Sequence, residues 1–272
     1  MHELSLAERK KYALEVLVEV DRICQCHGLS YSLAAGTMIG AVRHKGFIPW
    51  DDDIDILMFR QDYEKLKQIL TTQNNPTCRW MSFDTDKSYG YFFAKVIHKR
   101  THIIDRFCNR NNAPLGVAVD IFPVDYLGNS QSEATKKFKK ADFWTYLLIA
   151  CNWSCYFKSQ SRSWFVEPLR FLLYIITRPI SAIYLIKKIN KICEIPTYQQ
   201  QGYFGMIMFG GKGCIYKRDF YDRFIDTEFE GLHFKCLEGF DTMLRAIYGD
   251  YMEPPPPEQR IPPHKVQAFV GD

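Results

Sequence analysis

No Cys-x-x-Cys pair occurs in the chain, and its nine cysteines, scattered from Cys24 to Cys236, are odd in number. A zinc ribbon or redox dithiol needs close pairing, and a disulfide framework favours an even count. Buried free thiols in a reducing compartment are therefore expected. Cys24, Cys26 and His27 lie close together, but a helical pattern puts only some of them on one face, so no zinc site is expected there. The first residues hold Glu3, Glu8 and Arg9 in place of the apolar core of a secretory signal. No apolar run reaches the roughly 20 residues of a spanning helix. The nearest, Phe171 to Ile186, has 16 residues and is interrupted by Arg178 and Pro179, which leaves an interfacial or core helix. A concentrated basic face is also missing. The net charge of +4 on 272 residues is mild; it argues against a nucleic-acid partner and fits an anionic ligand or an acidic membrane surface. No internal repeat or long flexible linker divides the chain. Against these absences stand 47% hydrophobic and 15% aromatic residues, ample for a core.

Ser5-Leu-Ala-Glu8 has the spacing of a capping box. Beyond it, Ala13, Val16, Leu17, Val20, Ile23 and Cys24 recur at helical spacing, and Gly28 stops the helix. Tyr31 to Ala35 reads as a short strand closed by Gly36-Thr37. A second strand covers Ile54 to Met58, a helix Asp62 to Leu70, and two further strands Tyr91 to His98 and Gly116 to Phe122, the last ended by Pro123. Irregular strand spacing predicts an α+β fold with a mixed sheet over residues 1–130. Residues 131–195 are helical and aromatic-rich, with Lys136, Lys137, Lys139 and Lys140 at one end and Lys187, Lys188 and Lys191 near the other. This stretch packs on the sheet or meets a membrane or lipid-linked glycan. Residues 196–272 end in a proline-rich, extended segment.

The most unusual feature is Asp51-Asp52-Asp53-Ile54-Asp55. Carboxylates two residues apart on a strand share a face and lie roughly 6–7 Å apart. Without a cation each raises the other's pKa; with one, they are a pair of hard oxygen ligands suited to magnesium or manganese. An acidic surface turn is the plainer alternative. An EF-hand loop is not, because its sixth position, which needs glycine, is Ile56. Upstream, Gly36-Thr37 before a helical run is a place where backbone amides can hold a phosphate. Ala35-Gly36-Thr37, a spacer, then Asp53-Ile54-Asp55-Ile56 resembles the nucleotidyltransferase-fold signature, with Thr37 in place of a smaller residue and a longer spacer.

The longer phrase GTMIGAVRHKGFIPWDDDIDI resembles the hallmark of the LicD family, which is related to fukutin and fukutin-related protein. FAKVIHKRT at 93–101, VAVDIFPVDYL at 117–127, FEGLHF at 229–234 and YGDYMEPPPPEQR at 248–260 match that family's further segments in order. The chain departs from the pattern at Lys235-Cys236-Leu237-Glu238, where an apolar-Pro step is usual, and in the length of Pro254–Pro257.

The resemblance implies a single catalytic domain over 1–272: a nucleotidyltransferase-like mixed-sheet core flanked by helices, carrying a helical insertion. It implies a transferase that moves a phospho-alcohol, such as phosphocholine, from a CDP-alcohol donor to a hydroxyl of lipopolysaccharide, teichoic acid or capsule, with release of CMP. On that reading Asp53, Asp55 and Asp120 are the catalytic and metal-binding carboxylates for Mg2+ or Mn2+, with Asp120 also a candidate general base. Gly36 and Thr37 would contact donor phosphate, and Arg43, His44 and Lys95 would offset its charge. Arg260 and His264 are weaker substrate candidates, and Asp51 and Asp52 shape the turn. A cytoplasmic enzyme, peripheral on the inner membrane face, is expected. Two rivals remain: a true nucleotidyltransferase releasing pyrophosphate, and a glycan-binding module without turnover.

Overall fold

After a two-residue strand β1 (His2–Glu3), Ser5 and Glu8 cap the first helix reciprocally: the Glu8 amide donates to Ser5 Oγ and the Ser5 amide to Glu8 Oε2. Helix α1 (Leu6–His27) buries the six apolar positions expected of it and stops at Gly28 in the left-handed region. The structure is a computed structural model and describes residues 2–158, 164–193, 201–207, 214–262 and 266–271. The expected strand at 31–35 shrinks to β2 (Ser32–Leu33), because helix α2 (Ala35–His44) begins earlier than the pattern suggests. Ala35 takes a positive φ of 45°, and Gly36 and Thr37 lie in the first helical turn rather than closing a strand.

The remaining core alternates as mixed α+β folds do. Strand β3 (Ile54–Phe59) runs into α3 (Arg60–Thr72), followed by β4 (Cys78–Met81), β5 (Ala94–His98), β6 (Thr101–Asp105) and the long β7 (Ala118–Gly128). Three helices follow: α4 (Gln131–Asn152), α5 (Glu167–Thr177) and α6 (Ala182–Asn190). Strands β8 (Tyr203–Gly205) and β9 (Ile215–Lys217), the hairpin β10 (Phe224–Phe229) with β11 (Leu232–Leu237), α7 (Phe240–Tyr248) and β12 (Val266–Val270) complete the described chain. The main sheet has the order β2-β3-β7-β5-β4, with β8 and β9 continuing from β7. Only β3 and β7 pair in parallel within it; the sheet is mixed, as expected. Strands β1, β12 and β6 form a separate small sheet.

Pro123 does not end β7, as the sequence suggests, but sits inside it. Its position explains the exception. Strand β5 pairs with residues 118–121 of β7 and β8 with residues 125–128, so Pro123 falls in the gap between two neighbours on that side. A missing N–H there breaks no ladder bond.

Strand alternation divides the core in two. Ile54, Ile56, Val119, Ile121, Ala94 and Val96 pack with α1 on one face. Leu57, Phe59, Phe122, Val124 and Phe93 pack with α4 and α6 on the other. Between the two layers lies a buried ion pair: Arg60 donates from Nε and Nη2 to both oxygens of Asp125, at 2.7 and 2.9 Å, with the guanidinium against the rings of Tyr63 in the first layer and Phe92 in the second. Removing one partner strands the other charge in the core. Asp125→Ala is therefore expected to lower unfolding free energy by about 3–5 kcal/mol in urea titration, while an equally conservative exposed change such as Asp250→Ala stays within about 0.5 kcal/mol.

Candidate active site

The registers of three adjacent strands place three charged residues side by side. Asp55 on β3 is opposite Asp120 on β7, and Asp120 is opposite Lys95 on β5. Residues in register on neighbouring strands point to the same face, roughly 5 Å apart. All three begin the face that continues as Leu57, Phe122 and the α4–α6 layer. Lys95 Nζ reaches both oxygens of Asp120, at 2.5 and 2.6 Å. Asp55 and Asp120 are both buried.

Asp51, Asp52 and Asp53 precede the strand instead of starting it, so the two-residue alternation expected from the sequence holds only from Ile54 onward. The loop nevertheless turns their carboxylates together: one oxygen from each lies within 4.8 Å of the others. Burial and the neighbouring Asp53 and Asp52 push the Asp51 carboxyl up to about 7, and Asp51 shares a hydrogen bond with Asp53. Asp55 is held well above the usual carboxylate range, first by burial and then by Asp53, Asp120 and Asp51, with Lys95 opposing. The clustered groups therefore act as one acidic centre. Hard oxygen donors, crowded enough to retain protons in the absence of a counter-charge, suit a divalent cation of the magnesium or manganese kind.

The supports of this centre come from distant segments. The Asp55 amide donates to Thr37 Oγ1 at 2.8 Å, which ties the start of α2 to β3. A Cβ at Gly36 would stand 2.5 Å from Asp51 Oδ2, so the glycine leaves room for that carboxylate. Arg9, in the first turns of α1, pairs with Asp52 at 3.1 Å, and Lys10 donates to the carbonyls of Ile48 and Pro49. At the β10–β11 turn, Glu230 accepts from the Phe47 amide at 2.9 Å while its own amide donates to Lys45. A Cβ at Gly46 would collide with that carboxylate. The FEG segment thus holds the loop that carries the aspartates.

A cleft of about 680 Å³ opens beside them. Asp52, Asp53, Asp120, Arg9 and Lys95 line it on one side, and its further lining includes Tyr91, Phe93, Phe107 and Phe157 together with Asp105 and Lys158. Lys95 lies 5.2 Å from the Phe93 ring centre and 5.5 Å from that of Tyr91. Of the residues singled out in the sequence, Asp53, Asp55, Asp120 and Lys95 come together, and Gly36 and Thr37 adjoin them. Arg43 and His44 do not line the cleft: they end α2, where Arg43 donates to His44 and to the Tyr251 carbonyl. Arg260 stacks over Trp50 at 5.5 Å and donates to the Pro255 carbonyl, one residue from the cleft-lining Gln259 and Ile261. His264 lies outside the described residues. Cys26 and His27 are exposed, Cys24 is buried, and no metal-type cluster forms around them among the described residues. Arg9 escaped the sequence reading, which gave Asp51 only a part in shaping the turn. Arg9 is remote in the chain, and only its place one turn into a well-capped helix pointed to it; Asp51 was masked by neighbours of the same type.

A family model described as LicD/FKTN/FKRP, nucleotidyltransferase domain, matches residues 28–146, the stretch that contains α2, β3, β5 and β7. Over that stretch the chain is similar to the LicD family. It is 29% identical to the lipopolysaccharide cholinephosphotransferase LicD of Haemophilus influenzae over 99% of this chain and 100% of that protein. It is 40% identical to an uncharacterized protein of Rickettsia prowazekii over 50% of this chain and 47% of that one. To the human ribitol 5-phosphate transferase FKRP it is 27% identical, over 36% of this chain and 19% of that protein. The α+β architecture agrees with the family's nucleotidyltransferase-like core.

The raised carboxyls fix the sign of a pH effect. An acid whose folded pKa exceeds its ordinary 3.8 binds more protons in the native than in the unfolded state, so stability falls as pH rises through the window up to about 7. In metal-free buffer the melting midpoint is expected to drop by a few degrees between about pH 5.5 and 7.5. Differential scanning calorimetry should show a visibly smaller drop in Asp51→Asn; an unchanged slope in that variant would refute the shared acidic centre.

Proposed function

We propose that this chain is a phosphotransferase that moves a phospho-alcohol, phosphocholine or a close analogue, from a CDP-activated donor to a hydroxyl of lipopolysaccharide or a related surface glycan such as teichoic acid or capsule, releasing CMP. The observation that carries the reading is the in-register row Asp55–Asp120–Lys95 beside the Asp51–Asp53 loop, opening on one cleft. Whole-length similarity to a lipopolysaccharide cholinephosphotransferase supports the coarse reaction class.

Asp53 and Asp55 would hold Mg2+ or Mn2+, with Asp120 or Asp51 completing the oxygen set. When bound, the ion supplies charge neutralisation at the donor pyrophosphate. Phosphoryl-type transfer depends on such neutralisation and on in-line positioning more than on a covalent nucleophile. Arg9 and Lys95 stand on either side of the acidic centre at the cleft wall and would meet the remaining phosphate charge. Asp120 would accept the proton of the attacking hydroxyl, with Lys95 fixing its carboxylate. The aromatic residues of the cleft, Tyr91, Phe93, Phe107 and Phe157, would receive the alcohol; a quaternary ammonium there gains cation–π attraction. The acceptor would be reached at the inner face of the cytoplasmic membrane if it is lipid-linked.

The test is to incubate the purified protein and magnesium with a panel of CDP-alcohols and candidate glycans, and to follow both nucleotide and glycan by mass spectrometry. Glycan gaining a phospho-alcohol with CMP release is expected. Asp53→Asn and Asp55→Asn should abolish transfer with the fold intact by circular dichroism, and Asp120→Asn should slow it by about a hundredfold or more. In a parallel incubation with CTP and a phospho-alcohol, pyrophosphate release without transfer from any CDP-alcohol would make the protein a nucleotidyltransferase, and absence of turnover with every donor a binding module; either result overturns the proposal.

A further inference from the structure

Helix α5 is inside out. Its exposed residues, Pro168, Leu169, Phe171, Leu172, Ile175 and Ile176, are all apolar, with Leu172 at 51% and Ile176 at 49% exposure. Its polar residues turn inward: Glu167 pairs with Arg170 and accepts from the Tyr156 hydroxyl, and Thr177 is fully buried. A helix that faces water shows the reverse arrangement. Trp164 and Phe165, stacked on each other just before it, extend the patch and are 72% and 71% exposed.

Helix α4, packed beside α5, and α6, packed on α4, continue the patch and then change polarity in step. Cys151 near the end of α4 donates to the carbonyl of Ile180 just before α6, and Arg178 donates to the Trp153 carbonyl. The two helices pack together and therefore run in opposite directions from this end. The exposed face of α4 reads Phe143, Tyr146 and Ile149 close to α5, and Lys136, Lys139 and Lys140 farther away. That of α6 reads Tyr184 close to α5, then Lys187 and Lys191 farther away, with half-buried Lys188 lying 5.2 Å from the Tyr184 ring centre. From α5 outward the surface passes from wholly apolar, aliphatic and aromatic, through the tyrosines and Phe143, to lysine-rich. Hydrocarbon, interface and anionic headgroups follow in that order through a leaflet, with aromatic rings favoured at the boundary and lysines at the phosphates.

We propose that this face docks the protein on an anionic lipid bilayer, with α5 lying in one leaflet. Neither helix is long enough to cross a membrane, and the segments Trp164–Thr177 and Ala182–Asn190 are bent by 98°. The element lies in the interface and does not span it. The cleft adjoins it. Phe157, which lines the cleft, packs edge-on against Trp153 at the end of α4, and Tyr156 packs edge-on against Phe171 and tilted against Tyr174 of α5.

Vesicle flotation of the full chain tests this without any turnover, so its result stands apart from the catalytic reading. The protein is expected to float with equimolar phosphatidylglycerol–phosphatidylcholine vesicles, and brominated acyl chains should quench the fluorescence lost in Trp164→Phe. The double variant Leu172→Glu, Ile176→Glu, with unchanged circular dichroism, should lose about tenfold or more in partitioning. Replacing Lys139, Lys140, Lys187 and Lys191 by Gln should remove the preference over pure phosphatidylcholine vesicles. Two results would overturn the proposal: no partitioning of the parent protein, or a dimer in light scattering that the double variant dissolves while vesicle binding is absent.

Discussion

Mutual repulsion among carboxylates is the constraint around which this molecule is arranged. Asp51, Asp53, Asp55 and Asp120 cannot all ionise side by side in a partly buried site without an opposing charge. The fold contributes only part of that charge. Lys95 lies against Asp120, and Arg9 against Asp52. What remains is met by protons retained on Asp51 and Asp55, which is why these two titrate high; a divalent ion would offset the same charge. Stability has been conceded locally, as it is at sites kept for function.

The supports of that centre explain why the matching phrases are so widely spaced in the chain. Glu230 and the tight β10–β11 turn hold the loop at residues 45–47; Gly36 and Thr37 fit the carboxylate and amide of the acidic segment; and Ser5 and Glu8 fix where α1 starts, and hence where Arg9 and Lys10 point. None of these residues needs to touch substrate to matter. A match at FEGLHF reports on the geometry of the aspartate loop as much as on any acceptor contact.

Much of this was legible in the sequence for simple reasons. Helix α1 has full periodicity and both caps, and β3 is an apolar run after a turn, so local rules were enough. Asp55 and Asp120 could be named because each interrupts an apolar strand, where a charge demands an explanation. Other features depend on three-dimensional pairing. Pro123 was read as a stop because proline usually is one, and only the neighbours of β7 reveal the gap that tolerates it. Arg43 and His44 follow the glycine closely in the chain, but about two turns of α2 carry them away from it, to the Tyr251 carbonyl. Asp51 looked redundant beside Asp53 until the loop folded the two onto each other.

One sheet face links the chemistry to the helical unit. Along β3 and β7 the face that begins with Asp55 and Asp120 continues without interruption into Leu57, Phe59, Phe122 and Val124, on which α4 and α6 pack. The helices therefore bury the extension of the face that carries the acidic centre, and the segment leaving α4 returns through Phe157 to wall the cleft. The Arg60–Asp125 pair ties β7 to the start of α3 between the two layers, against Tyr63 and Phe92. A rigid layer of this kind fixes the distance and direction between the acidic centre and the exposed face of α5. If that face rests on a bilayer, the cleft opens at a set height above the lipid. The fold would then present its acidic centre to a lipid-linked hydroxyl by geometry alone, without a moving part.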